Sequence, residues 1–255
     1  MKNKIIIASI FAMFFCLIFA QKAKTEPNYS YKVHTLDNFS QVKTNVEKAQ
    51  KDGQIIFIVD FSNSMNETME GVAKLDIARA TLAEILPKIP SNVKTGLRVY
   101  GHRAGFTYVQ GCRASDLTVP LKENNCDTIL GSLYATRAVG WTPITYSLKQ
   151  AINNDFVGVK GKKHIILLTD GGENCDESPC SYVIELMKTR NDVTIDVIAF
   201  DVHDTDANNQ LRCTALMTSG KFINANSAQD LSNSLFETVG ISKDVKGSVK
   251  MPSLY

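Results

Sequence analysis

Residues 55–59 read Ile-Ile-Phe-Ile-Val and residues 165–168 read Ile-Ile-Leu-Leu, two apolar runs with no polar alternation. Runs of β-branched and aromatic residues that never alternate suit strands covered on both faces, as in a parallel sheet between helices. Val193–Phe200, Val-Thr-Ile-Asp-Val-Ile-Ala-Phe, supplies a third core strand. Thr95–Gly101 and Lys221–Asn224 add shorter strands, and Asp116–Leu121 reads as an antiparallel edge strand. Helical spacing fills the intervals. Leu75, Ala78, Leu82, Ile85 and Leu86 line one face of Val72–Ile89, which Pro87 and Pro90 close. Further helices are expected over Asp127–Arg137, Thr142–Asn153, Ser181–Arg190, Asn209–Ser219 and Ala228–Val239. Strands alternating with helices predict an α/β fold with a mostly parallel sheet and helices on both faces.

The N-terminus is organised differently. Lys2 and Lys4 precede an apolar run from Ile5 to Ala20, interrupted only by Ser9. This is the layout of a secretory signal, and the run is short for a membrane span. Residues 1–20 are therefore read as a signal peptide cleaved after Ala20, with an uncleaved N-terminal anchor as the alternative because Lys22 and Lys24 follow. Phe14 and Phe15 before Cys16 argue against lipidation there. Residues 21–51 form a polar, lysine-rich lead-in with one helix expected near residues 40–50. The domain occupies residues 52–240, and residues 241–255 form a tail. No stable membrane insertion is expected after cleavage.

Losing residues 1–20 removes two of 28 basic residues and none of the 26 acidic ones, so the remaining charges balance. A neutral chain gives no electrostatic reason to bind nucleic acid or an anionic membrane. Cys112, Cys126, Cys175, Cys180 and Cys213 remain, and in an oxidising compartment some should pair. A Cys175–Cys180 bridge would close a small loop. Cys112–Cys126, or Cys213 with Cys175 or Cys180, are the alternatives. With no CxxC and no matching His pair, structural zinc is disfavoured.

The chemistry sits at strand ends. The first buried run leads straight into Asp60-Phe61-Ser62-Asn63-Ser64, and the central run leads into Thr169-Asp170-Gly171-Gly172. Between them in sequence, Gly140-Trp141-Thr142-Pro143 enters a helix. In open α/β sheets ligands bind beyond the carboxyl ends of strands, where the winding reverses. Asp60, Ser62, Ser64, Thr142 and Asp170 offer two carboxylates and three hydroxyls, all oxygen donors suited to a hard cation such as magnesium. Residues 60, 62 and 64 alternate, so an extended start aims them at one place. Each piece also has a plainer role: Ser62, Ser64 or Thr142 as helix caps, and Asp170-Gly171 as a turn.

The order Asp-Phe-Ser-Asn-Ser, Thr142 and strand-terminal Thr-Asp-Gly resembles the von Willebrand factor type A family, whose metal-ion-dependent adhesion site is written DxSxS…T…D. The resemblance covers roughly residues 52–240. It implies a doubly wound, mostly parallel six-stranded sheet with one antiparallel edge strand. It implies Mg2+ or Mn2+ held by Asp60, Ser62, Ser64, Thr142 and Asp170, directly or through water. It implies protein binding, through an acidic side chain of the partner, rather than catalysis. Arg98-Val99-Tyr100-Gly101-His102-Arg103, Gly111-Cys112 and Asp170-Gly171-Gly172-Glu173-Asn174-Cys175 resemble an exported bacterial branch of the family.

Other residues carry weaker expectations. His102 and Arg103 are read as structural, Trp141 as packed against the sheet, and Glu173 and Asp176 as a solvated loop. Asp201, His203, Asp204 and Asp206 are read as a polar loop rather than a second cation site. The functional expectation is an exported binding module acting in adhesion or envelope assembly. The alternatives are a metal-dependent hydrolase or a purely structural envelope component. Aspartyl-nucleophile phosphatases usually carry a second acid two residues after the nucleophile, where this chain has Ser62, and no GxSxG elbow is present.

Overall fold

The structure, a computed structural model, describes residues 53–240. The expected signal, lead-in helix and tail lie outside the described residues. The first strand, β1 (Gln54–Asp60), is followed by a 3-10 turn at Asn63–Asn66 and a small hairpin, β2 (Thr68–Met69) and β3 (Val72–Ala73). Helix α1 (Lys74–Ile85), β4 (Lys94–Tyr100), the one-turn helix α2 (Tyr108–Gly111) and β5 (Ser115–Lys122) come next. After them the chain forms α3 (Cys126–Ala135), α4 (Ile144–Gln150), β6 (Lys163–Thr169), α5 (Pro179–Met187) and β7 (Val193–Phe200). Helix α6 (Thr205–Met217), β8 (Phe222–Ala225) and α7 (Ala228–Thr238) complete the domain.

The main sheet has six strands in the order β5-β4-β1-β6-β7-β8. Every pairing is parallel except β4 with the edge strand β5. The uninterrupted apolar runs have a direct cause, because alternate residues enter two separate cores. Ile55, Phe57, Val59, Ile166 and Leu168 pack with Leu82 and Ile85 of α1 and Leu231 and Leu235 of α7. Ile56, Ile58, Ile165 and Leu167 pack with Ile144 and Leu148 of α4, Val183 of α5 and Leu211 of α6. Burying both faces leaves no position for a polar residue until the strand ends.

Several elements differ from expectation. The predicted helix over Val72–Ile89 starts at Lys74, because Val72 and Ala73 pair with Met69 and Thr68 instead. Glu70 (φ 54°) and Gly71 (φ 81°) supply the left-handed pair that a two-residue hairpin turn demands. Helix α4 begins after Pro143 and has no side-chain cap, so Thr142 is not its N-cap. It ends in a wide π-type turn over Ala151–Asp155. That turn brings the Asp155 carboxylate to Arg98 of β4 in a buried two-pronged pair, with both N···O distances 2.7 Å. Among the described residues no helix is long and apolar enough to cross a membrane.

Candidate metal centre

The strand order reverses at β1, whose neighbours are β4 on one side and β6 on the other. Asp60 ends β1 and Asp170 directly succeeds β6, so both carboxylates stand at the crevice where α/β sheets take ligands. Four of the expected residues form one hydrogen-bonded chain there. Ser64 Oγ donates to Asp170 Oδ1 at 2.8 Å. Its single proton thus committed, Ser64 accepts from Ser62 Oγ at 3.0 Å. The Ser62 backbone N–H donates to Asp60 Oδ1 at 2.6 Å. Ser62 precedes the 3-10 turn without a side-chain capping bond, so its hydroxyl is not serving as a helix cap.

Thr142 is reached differently. Gly140 forms a parallel bridge with Ser62, and its carbonyl accepts from Asn63 N at 3.0 Å. This lays the loop before α4 along the serine segment. Thr142 is buried, and its N–H donates to Asn174 Oδ1 at 2.7 Å. The hydrogen-bonded chain runs through the other four residues, and none of its bonds involves Thr142.

Residues outside the five expected ligands complete the site. Asp60 Oδ2 accepts from Tyr100 Oη at 2.9 Å and from Thr169 Oγ1 at 2.8 Å. Lys74, the first residue of α1, places Nζ 3.3 Å from Asp170 Oδ2, 3.1 Å from Asp201 and 3.3 Å from Glu67. Asp201, expected in a polar loop, is thus an ion-pair partner at the site's edge. Glu173 is not a freely solvated loop residue. It accepts from Thr145 N at 2.7 Å and Cys175 N at 3.0 Å, fixing the loop after β6 against α4.

The Arg98–Arg103 motif resolves into separate tasks. Arg98 holds Asp155, and Tyr100 holds Asp60. Gly101, at φ 70°, passes so close to the serine segment that a Cβ would stand 2.5 Å from Ser62 N. His102 and Arg103 both bind Asp116, the structural role expected of them. Trp141 is not buried against the sheet. It lies at the surface with its ring edge-on to Tyr108, centroids 5.3 Å apart.

The cysteines pair as Cys112–Cys175 and Cys180–Cys213, leaving Cys126 free. Neither the Cys175–Cys180 bridge nor the alternative Cys112–Cys126 forms. Cys175 sits in the loop facing α2, with Cα–Cα 5.5 Å to Cys112, whereas Cys180 has entered α5 and faces α6. The pairing of Cys213 with Cys180 is one of the alternatives that the sequence leaves open.

Electrostatically the two buried carboxylates face a single ammonium, that of Lys74, which pairs with Asp170. The Asp60 carboxyl is fully buried, and burial raises its pKa despite the bonds from Ser62, Thr169 and Tyr100. Asp170 is pushed up to about 7, first by burial and then by the charge of Asp60, against the pull of Ser64 and Lys74. Burial, then the Asp60 charge, also holds the Tyr100 phenol well above its ordinary value. For Lys74 burial disfavours the ammonium, yet Asp170, Asp201 and Glu67 together raise its pKa. Among the described residues no three His, Cys, Asp or Glu side chains are grouped to hold a metal. An ion here would take two carboxylates and hydroxyls, a donor set that fits a hard divalent cation.

Comparison with known proteins agrees with this fold. The von Willebrand factor type A domain family matches residues 54–238. Bacillus subtilis (strain 168) has a similar protein, the uncharacterized protein YwmC, 29% identical over 197 residues, covering 76% of this chain and 85% of that one. Proximal thread matrix protein 1 of the mussel byssus, solved with a zinc-occupied MIDAS motif, shares the fold at TM-score 0.56 and 21% identity. That match covers 73% of this chain and 44% of the mussel protein, so the likeness is to under half of it. The vWF domain of the type V pili tip protein Mfa5 from Porphyromonas gingivalis matches at TM-score 0.51 and 17% identity, over 75% of this chain and 96% of that one. With a six-stranded, doubly wound sheet and a family match spanning nearly the whole described domain, the chain belongs to the von Willebrand factor type A family.

Proposed function

We propose that this domain binds Mg2+ or Mn2+ through Asp60, Ser62, Ser64, Thr142 and Asp170, and through the ion an acidic side chain of a protein partner. The observation that carries this reading is the Ser62–Ser64–Asp170 hydroxyl chain beside the buried Asp60, at the point where the sheet order reverses. Lys74 offsets only Asp170, and the buried Asp60, whose charge acts on Asp170, calls for a further positive counter-charge. A bound ion supplies a Lewis-acidic position that accepts a further oxygen ligand. The chain's own part is to orient the donors. Tyr100 and Thr169 hold Asp60 by its inner oxygen, and Asn174 holds the Thr142 loop.

The surface around the site suits a macromolecular partner. Phe106, Tyr108, Val109 and Trp141 are exposed along the rim that begins at Thr142. Exposed aromatic residues are the usual anchors of protein interfaces. Export outside the reducing cytoplasm is supported by the two disulfides and by the Lys2, Lys4 and Ile5–Ala20 layout. A role in adhesion or envelope assembly suits this combination, and a zinc-occupied MIDAS motif and a pilus tip among the structural neighbours are in keeping with it. A hydrolase is disfavoured. Ser62 is not an acid, and among the described residues the histidines nearest the rim, His102 and His203, are paired with Asp116 and Asp201.

The test is a calorimetric titration of Mg2+ and Mn2+ into the wild type and Asp60→Ala. One site is expected in the wild type, with affinity at least about 100-fold weaker in the variant, since a buried charged ligand is removed. Equal affinity in the two would retire the assignment. If the same envelope proteins are captured with and without chelator, the ion is not the bridge.

A further inference from the structure

Lys74 is nearly fully buried at the start of α1, with its side chain 6% exposed. A lone ammonium there would be costly, and it is compensated three times over, by Asp170, Asp201 and Glu67. The two oxygens of Asp170 are divided between different partners. Oδ1 receives the Ser64 hydroxyl, the end of the donor chain, and Oδ2 faces Lys74. The backbone fixes this arrangement, because Lys74 N donates to the Glu67 carbonyl at 2.9 Å across the β2–β3 hairpin. Asp201 is held by Ala225 O through its own N–H and adopts a left-handed φ of 59°, which turns it toward the helix start.

We infer that Lys74 is a built-in counter-cation that competes with the divalent ion for Asp170. This rests on the metal-binding reading above and adds a residue that sets its affinity. The ammonium keeps the oxygen cluster assembled in the absence of metal. It also withholds part of the charge of Asp170 from an incoming ion. Asp60, with no cationic partner among the described residues, then provides the stronger attraction, and the ion retains its appetite for an external acidic ligand.

The consequence is a tightening, which a purely structural tie would not produce. Lys74→Met is expected to bind Mn2+ about tenfold more tightly than wild type, because a unit positive charge beside a ligand carboxylate is lost. Its metal-free form should unfold at lower urea, and Mn2+ should restore more stability to it than to wild type. Lys74→Arg keeps the charge and should bind within about twofold of wild type. Lys149→Met, which removes a rim lysine paired with Glu177, should also stay within about twofold. Lys74→Gln carries the same expectation as Met and decides the question if the Met variant does not fold. Calorimetric titration with Mn2+ and urea unfolding with and without it are the measurements. Unchanged or weaker Mn2+ binding in the neutral variants, with wild type binding normally, overturns the role of Lys74. A wild type that binds no Mn2+ overturns the metal reading itself.

Discussion

In divalent-free buffer the domain is expected to be about 2–3 kcal/mol less stable at pH 8 than at pH 5. The sign is set by Asp170. Its pKa rises from an ordinary 3.8 to about 7 on folding, through burial and the neighbouring Asp60 charge. Folding therefore favours its protonated form, and the associated stability is present at low pH and lost as pH climbs through about 7. Asp60 and Glu173, both raised by burial, act in the same direction. His102 opposes them below pH 6.5, since burial lowers its pKa despite Asp116. Lys74 faces Asp170 on the other side and limits the effect rather than reversing it. Urea unfolding at the two pH values measures the difference. Asp170→Asn should flatten most of it, because the amide cannot titrate and no longer repels Asp60. Saturating Mg2+ should stabilise the wild type more at pH 8 than at pH 5, since protons and the ion compete for the same oxygens. A wild type whose stability is flat between pH 5 and 8, like that of Asp170→Asn, would mean that the two carboxylates do not share one buried field.

The residues legible in the sequence are those that a single strand end delivers. Asp60, Ser62 and Ser64 can be read together because an apolar run that buries both faces stops at residue 60, and the next residues must face the crevice. Asp170 is legible for the same reason at the end of β6. Thr142 is not legible from its own surroundings, because its position depends on the Gly140–Ser62 bridge and on Asn174, contacts made far along the chain. Tyr100 and Lys74 look like packing and helix-surface residues until the fold sets them against Asp60 and Asp170, 40 and 96 residues away. Thr169 carries a faint signal, a hydroxyl directly before a strand-terminal acid. Trp141 departs from expectation because aromatic size predicts burial. The turn at Gly140 and the narrow passage at Gly111, where a Cβ would strike the indole, turn the ring out to the rim. The parallel sheet is readable throughout, whereas the small hairpin at Thr68–Ala73 is hidden because Val72 falls on the helical spacing of α1.

Breaking the Cys112–Cys175 bridge is expected to cost about 4 kcal/mol of stability, and breaking Cys180–Cys213 slightly less, from the chain entropy released to the unfolded state. The sequence separations, 63 and 33 residues, set that order. The two bridges should differ far more in their effect on the metal centre. Cys175 adjoins Asn174, whose side chain holds Thr142 N, and its own N–H is held by Glu173. Cys112 ends the α2 turn, which carries Tyr108 against Trp141 and Asp176. This bridge therefore clamps two of the loops that shape the rim, whereas Cys180–Cys213 joins α5 to α6, neither of which carries a proposed ligand. The double variant Cys112→Ser with Cys175→Ser should accordingly bind Mn2+ about 3–10-fold more weakly at a urea concentration where it remains folded, as expected when one positioned ligand loop is loosened. The double variant Cys180→Ser with Cys213→Ser should lose stability but bind within about twofold of wild type. Equal weakening in both would show that the bridges act on the site only through global stability. Weakening confined to the first would mark the Cys112–Cys175 bridge as part of the binding apparatus, and would make metal affinity depend on the oxidising surroundings in which this domain is proposed to work.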